Sequence, residues 1–65
     1  MAISYRRLRE ILVERKIQKK VLHKEGKISN DVIAKIDKDE YMSLESLEKI
    51  ARFLGVDIGD IVELK

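Results

Sequence analysis

The 65-residue sequence contains no cysteine and no proline, only three glycines, a single histidine and few aromatic residues. Each shortage excludes something. Without cysteine there is no disulfide, no thiol nucleophile and no cysteine-ligated zinc, so the fold rests on its apolar core or on a partner subunit. His23 has no carboxylate or other ligand grouped around it, which argues against a metal centre and for a solvated or interhelical side chain. Tyr5, Tyr41 and Phe53 are too few and too scattered for a base-stacking RNA platform. No phosphate-cradling glycine loop and no nucleophile paired with a base is present, so the sequence offers no enzyme. Asp37-Lys38-Asp39-Glu40 lacks the glycine and the distal glutamate of a calcium-binding hand. Nor does any apolar run approach the roughly 18 residues of a membrane span.

What remains is a short chain rich in charged and apolar residues. Hydrophobic residues make up 45% of it, too many for a disordered tail. A chain of this length has room for one domain, here residues 1–65, and buries roughly 60% of the surface exposed on unfolding, which makes its stability marginal and dimerisation attractive. The N-terminal Met1-Ala2-Ile3-Ser4-Tyr5-Arg6-Arg7 lacks the apolar stretch of a secretory signal, and together with the missing cysteines this points to the cytoplasm. The net charge of +2 hides a division along the chain. Residues 1–38 hold eleven Lys/Arg against five Asp/Glu, a balance of +6, and residues 39–65 hold three against seven, a balance of −4. A basic part beside an acidic part suits a polyanion-binding region attached to something else, and equally suits a solvated surface on which lysines maintain solubility.

Apolar spacing predicts helices throughout. Ser4 caps a first helix in which Tyr5, Leu8, Ile11 and Leu12 share a face and Arg6, Arg7, Arg9 and Glu10 face water, ending near Lys16. A shorter helix from about Gln18 to Glu25 turns Val21 and Leu22 inward, with Gly26 as its stop. Ser29-Asn30-Asp31, a run of capping residues with an acid in the first turn, opens a third helix carrying Val32, Ile33 and Ile36 and ending near Asp37. Lys38 to Met42 forms a loop. Ser43 caps a fourth helix with the stripe Leu44, Leu47, Ile50, Ala51 and Leu54, closed by Gly55. Asp57 caps a fifth, short helix bearing Ile58, Ile61 and Val62, although these β-branched residues leave an extended end open. The expected class is all-α, a five-helix bundle.

Two short helices joined by a tight turn, the second opening on small polar side chains, are the local pattern of a helix-turn-helix. Leu22, Ile28, Ile33 and Ile36 supply the apolar frame. Ser29, Asn30, Asp31, Ala34 and Lys35 fall on the outward face, where asparagine can read adenine, serine several base edges, and lysine guanine or phosphate.

The chain resembles the Cro-and-repressor (XRE-like, lambda-repressor-like) helix-turn-helix regulators, especially compact bacterial members. The resemblance runs from Ile3-Ser4-Tyr5 and Leu8 through Ile28-Ser29 and Ala34-Lys35-Ile36 to Tyr41-Met42-Ser43-Leu44-Glu45-Ser46-Leu47-Glu48-Lys49-Ile50 and Asp57-Ile58-Gly59-Asp60-Ile61. It implies a five-helix bundle, usually dimeric, that binds double-stranded operator DNA and regulates transcription, with repression the expected sign. By position it assigns Ser29, Asn30, Asp31, Ala34 and Lys35 to bases, and Gln18, Lys19, Lys38, Tyr41 and the Ser43 helix start to the phosphate backbone. The family pattern carries glycine where Lys27 stands, and Gly26 lies one residue early. Either the turn is shifted or Lys27 is left-handed, at a cost of about 1 kcal/mol or more. Asp31 is read as complementing its helix N-terminus, with acceptance from a cytosine amino group as the alternative.

Phe53, Ile58, Ile61, Val62 and Leu64 exceed what one small core needs and are assigned to a homodimer interface. No effector pocket and no cofactor is implied. The competing reading is a protein-interaction module, antitoxin-like or anti-repressor-like, that uses the same bundle and its acidic part.

Overall fold

The computed structural model describes residues 2–65. In chain order it comprises β1 (Ile3–Ser4), α1 (Arg6–Glu14), α2 (Lys19–Lys24), α3 (Asn30–Lys38), α4 (Leu44–Leu54), a 3-10 turn (Ile58–Asp60) and β2 (Glu63–Leu64). The fifth helix of the sequence reading is replaced by this three-residue turn and a strand. Asp57 does cap the turn, its carboxylate taking the Asp60 amide while the Asp60 carboxylate takes the Asp57 amide at 3.1 Å. Gly59, with its high helical entropy cost, and the β-branched residues around it favour stopping after one turn. β2 then pairs antiparallel with β1, Ile3 opposite Leu64 and Ser4 opposite Glu63. Ala2 and Lys65 extend the ladder by two further hydrogen bonds of 2.9 and 2.7 Å. The class is therefore helical with one small strand pair.

Several boundaries shift for physical reasons. Ser4 lies buried in β1 rather than capping α1 in the usual way, and Tyr5 occupies the cap position without a side-chain bond. The Ser4 hydroxyl still accepts from the Arg6 amide at 3.3 Å. α1 stops at Glu14, two residues before Lys16, which takes a left-handed conformation with φ 58° and redirects the chain toward α2. α3 runs to Lys38, one residue past Asp37, because Asp39 supplies the left-handed residue that closes it. Ser29 and Ser43 cap α3 and α4 as expected, accepting from the Val32 and Ser46 amides. Gly55 ends α4 with φ 70°.

The core gathers the inward positions of every helix. Tyr5, Leu8 and Leu12 come from the start and buried stripe of α1, Leu22 from α2, Ile33 and Ile36 from α3, and Leu47, Ile50, Ala51 and Leu54 from α4, with Ile3, Ile28 and Ile61 between elements. Fully burying one such side chain contributes about 1.5–3 kcal/mol. Leu44 heads the α4 stripe but is 68% exposed and takes no part in the core. α2 and α3 pack on one another, and α1 packs against α3. Among the described residues no helix is long and apolar enough to cross a membrane.

Candidate nucleic-acid interface

α2, its connection and α3 form the unit that the apolar frame foreshadows. Leu22 and Ile36 are fully buried, Ile28 is 3% exposed and Ile33 8%. These anchors fix which face of α3 remains outside. Ser29, Asn30, Asp31 and Ala34 are exposed on it, and Lys35 is half-buried. Asp31 lies in the first turn of α3, where its charge complements the helix dipole.

The turn between α2 and α3 answers the question of its odd residue order. Lys27, not Gly26, is left-handed, with φ 55°. Gly26 is needed for space: a Cβ there would lie 2.8 Å from the Leu22 carbonyl oxygen, 3.2 Å from Ile28 Cδ1 and 3.4 Å from Phe53 Cγ. The residue expected as a helix stop is therefore the point where α2, the turn and α4 close on each other. The Ile28 amide donates to the Leu22 carbonyl at 3.2 Å. His23 stays exposed beside the turn, its Nδ1 lying 2.9 Å from the Ile28 carbonyl, which accepts from it.

At the other end α3 is tied to α1. Asp39 Oδ1 accepts from the Tyr5 amide at 2.9 Å and from the Arg9 guanidinium at 2.8 Å. Arg9 also donates to the Ile36 carbonyl at 2.6 Å, satisfying one of the orphan carbonyls at the α3 C-terminus. Arg9 is thus half-buried and structural rather than on the water-facing side of α1. The Tyr5 hydroxyl donates to the Glu40 carbonyl at 2.6 Å. The hydrogen bond from Arg9, followed by that from the Tyr5 amide, holds the Asp39 carboxyl below its ordinary range. Burial raises the Tyr5 phenol above its ordinary value.

The description Cro/C1-type helix-turn-helix DNA-binding domain fits residues 7–65 of this sequence as a family model. The chain belongs to that family. The crystal structure of the transcriptional regulator VanUg is similar to it, with a TM-score of 0.86 and 35% sequence identity over 95% of this chain and 83% of that one. No curated protein matches it. In helix-turn-helix domains generally, the second helix of the motif enters the DNA major groove and the first crosses the backbone.

The residues assigned to phosphate come from the start of α2 and from the last residue of α3 onward. Gln18 is the N-cap residue of α2 and Lys19 its first helical residue, both exposed. Lys38 is the exposed last residue of α3, and Tyr41 and Ser43 are exposed in the segment that follows it. Lys19 does not stand alone, because its ammonium meets the Asp37 carboxylate. The excess positive charge of residues 1–38 is partly consumed inside the protein. Besides Arg9, Arg15 donates to the Leu54 carbonyl at 2.5 Å, Arg6 pairs with Glu63 at 3.4 Å, and Arg7 reaches the Gly59 carbonyl at 3.5 Å. The α1 arginines and Arg15 at its C-cap therefore bind this chain's own helix ends and C-terminal segment.

The apolar set assigned to a dimer interface divides. Ile61 is fully buried in the core and has no surface to offer, so it leaves that set. Phe53, Ile58 and Val62 pack partly against the same core. Leu64 is 65% exposed. Sequence reasoning missed Arg9, Tyr5 and Asp39 as the device that fixes α3. The available signal was the acid run Asp37 to Glu40 opposite an arginine-rich first helix, which invites the question of which base each acid serves.

Proposed function

We propose that this Cro/C1-type domain is a transcriptional repressor that reads operator DNA in the major groove with α3. The observation carrying this reading is that burial of Ile33 and Ile36 leaves Asn30, Asp31 and Ala34 outward on a helix capped by Ser29. Asn30 is suited to a bidentate contact with adenine, Ser29 and Lys35 to neighbouring edges, and Ala34 to close apolar contact with a thymine methyl. Gln18, Lys19, Lys38, Tyr41 and Ser43 would position the domain on phosphates on either side. The neighbouring VanUg, named a transcriptional regulator, supports a regulatory role, and the cytoplasm is the compartment in which that role would be exercised.

The domain would act as a homodimer, joined through Leu64 and the partly exposed Phe53, Ile58 and Val62, so that two α3 helices meet half-sites one helical turn apart. Selection of bound duplexes from a random pool tests this reading. A palindromic consensus is expected, with affinity falling by orders of magnitude between about 50 and 200 mM salt. Asn30→Ala together with Lys35→Ala should erase the sequence preference. Binding indifferent to both changes would overturn base reading by α3. Sedimentation showing a monomer at high micromolar concentration, with and without the selected duplex, would overturn the dimer.

A further inference from the structure

The acids at the end of α3 are engaged in opposite directions. Asp39 turns inward to Arg9 and the Tyr5 amide, whereas Asp37 is exposed and meets Lys19, the first residue of α2. About half of each partner remains in solvent, 46% of the Lys19 side chain and 49% of the Asp37 side chain. The pair borders an open groove among α1, the start of α2 and the last turn of α3, lined by Arg9, Leu12, Ile17, Gln18, Lys19 and Asp37.

We infer that Asp37 is an internal competitor for the DNA phosphate that Lys19 would otherwise hold, and so limits how tightly the domain grips a duplex of any sequence. This rests on the DNA-binding reading above. An ion pair with half of each partner in water is weakly held. A phosphate beside the α2 N-terminus offers the ammonium a strong acceptor and gains counterion release, so the duplex displaces the carboxylate. The displaced Asp37 then stays close to that phosphate as a like charge. Lys19 is thereby discounted twice, once for leaving its partner and once for the repulsion left behind. Reducing sequence-independent grip in this way raises the relative weight of base contacts made by Asn30 and Lys35.

The test titrates the full chain against a labelled random-sequence duplex over a series of salt concentrations, with urea unfolding to establish that every variant is folded. Asp37→Asn should tighten binding by about fivefold, the upper range for releasing one exposed pair. Glu48→Gln on α4, which changes the net charge equally but lies in a pair with Arg52, should do far less. With Lys19→Ala in place, the gain from Asp37→Asn should shrink to the part due to repulsion of the nearby phosphate alone, a coupling that a bare surface charge would not show. Wild-type binding that Asp37→Asn leaves unchanged or weakens, or an equal gain with alanine at position 19, overturns this inference alone. Absence of wild-type binding to both random and selected duplexes overturns the DNA-binding reading and this inference with it.

Discussion

The two ends of α3 are held by different physics. At its N-terminal end the restraint is steric: Gly26 allows the Leu22 carbonyl, Ile28 and Phe53 to close on the turn, and Lys27 absorbs a left-handed backbone. At its C-terminal end the restraint is polar, with Asp39 receiving the Tyr5 amide and the Arg9 guanidinium while Tyr5 reaches Glu40. A steric restraint is insensitive to pH and salt, whereas a carboxylate shared by two donors depends on its charge. A helix that must enter a groove at a fixed angle thus has one end set by shape and one by electrostatics.

Substitutions can break this comparison one end at a time. Gly26→Ala should have the largest effect, a loss of about 2–3 kcal/mol in urea unfolding, because backbone oxygen cannot retreat as a flexible side chain can. A loss under about 0.5 kcal/mol would mean that the turn yields and that the steric description is wrong. Tyr5→Phe leaves the Glu40 carbonyl without its donor inside a partly buried contact and should cost about 1–2 kcal/mol by the same measurement. Lys27→Gly should move the other way, gaining about 0.5–1 kcal/mol as relief of left-handed strain outweighs the added freedom of the unfolded chain. No gain in thermal unfolding would show that the lysine conformation is unstrained.

Asp39→Asn should give the smallest change near neutrality, since asparagine tolerates the left-handed backbone and can still accept hydrogen bonds. Its signature lies in acid. The folded-state pKa of Asp39 is depressed, so its contribution is present above the ordinary aspartate range and is lost as pH falls through the folded-state value. The wild type should therefore lose melting temperature faster than Asp39→Asn below about pH 4. Parallel acid limbs would remove charge from the account of this end of the helix. DNA affinity measured on the same variants would show whether either end governs the angle of α3 independently of stability.

Much of this division was legible in the sequence at one end only. Ser29, the apolar frame and the outward face could be read because capping and helical periodicity are local properties, expressed within a few residues. Gly26 and Lys27 showed that something unusual happened in the turn, but only the approach of Phe53, distant in sequence, explains why glycine stands where it does. The polar end was invisible for the same reason. Arg9 and Asp39 are 30 residues apart, and neither period nor composition says that an arginine on a water-facing stripe folds back under the end of another helix. The last helix failed for a related cause: Glu63 and Leu64 have no strand signature of their own and become extended because Ile3 and Ser4 arrive beside them. How Lys19 divides between Asp37 and a phosphate likewise belongs to tertiary placement rather than to local pattern.

The pairing of β1 with β2 has a mechanical consequence. Ala2 and Lys65 face each other at the open end of the ladder, joined by two hydrogen bonds, with Ile3–Leu64 and Ser4–Glu63 behind them. A pull applied through the two ends of this segment loads those bonds one after another, as a zipper opens, rather than all at once in shear. The strand pair should yield at low force and free Leu64 before any helix is stretched, leaving α1 through α4 to resist as a second, separate event.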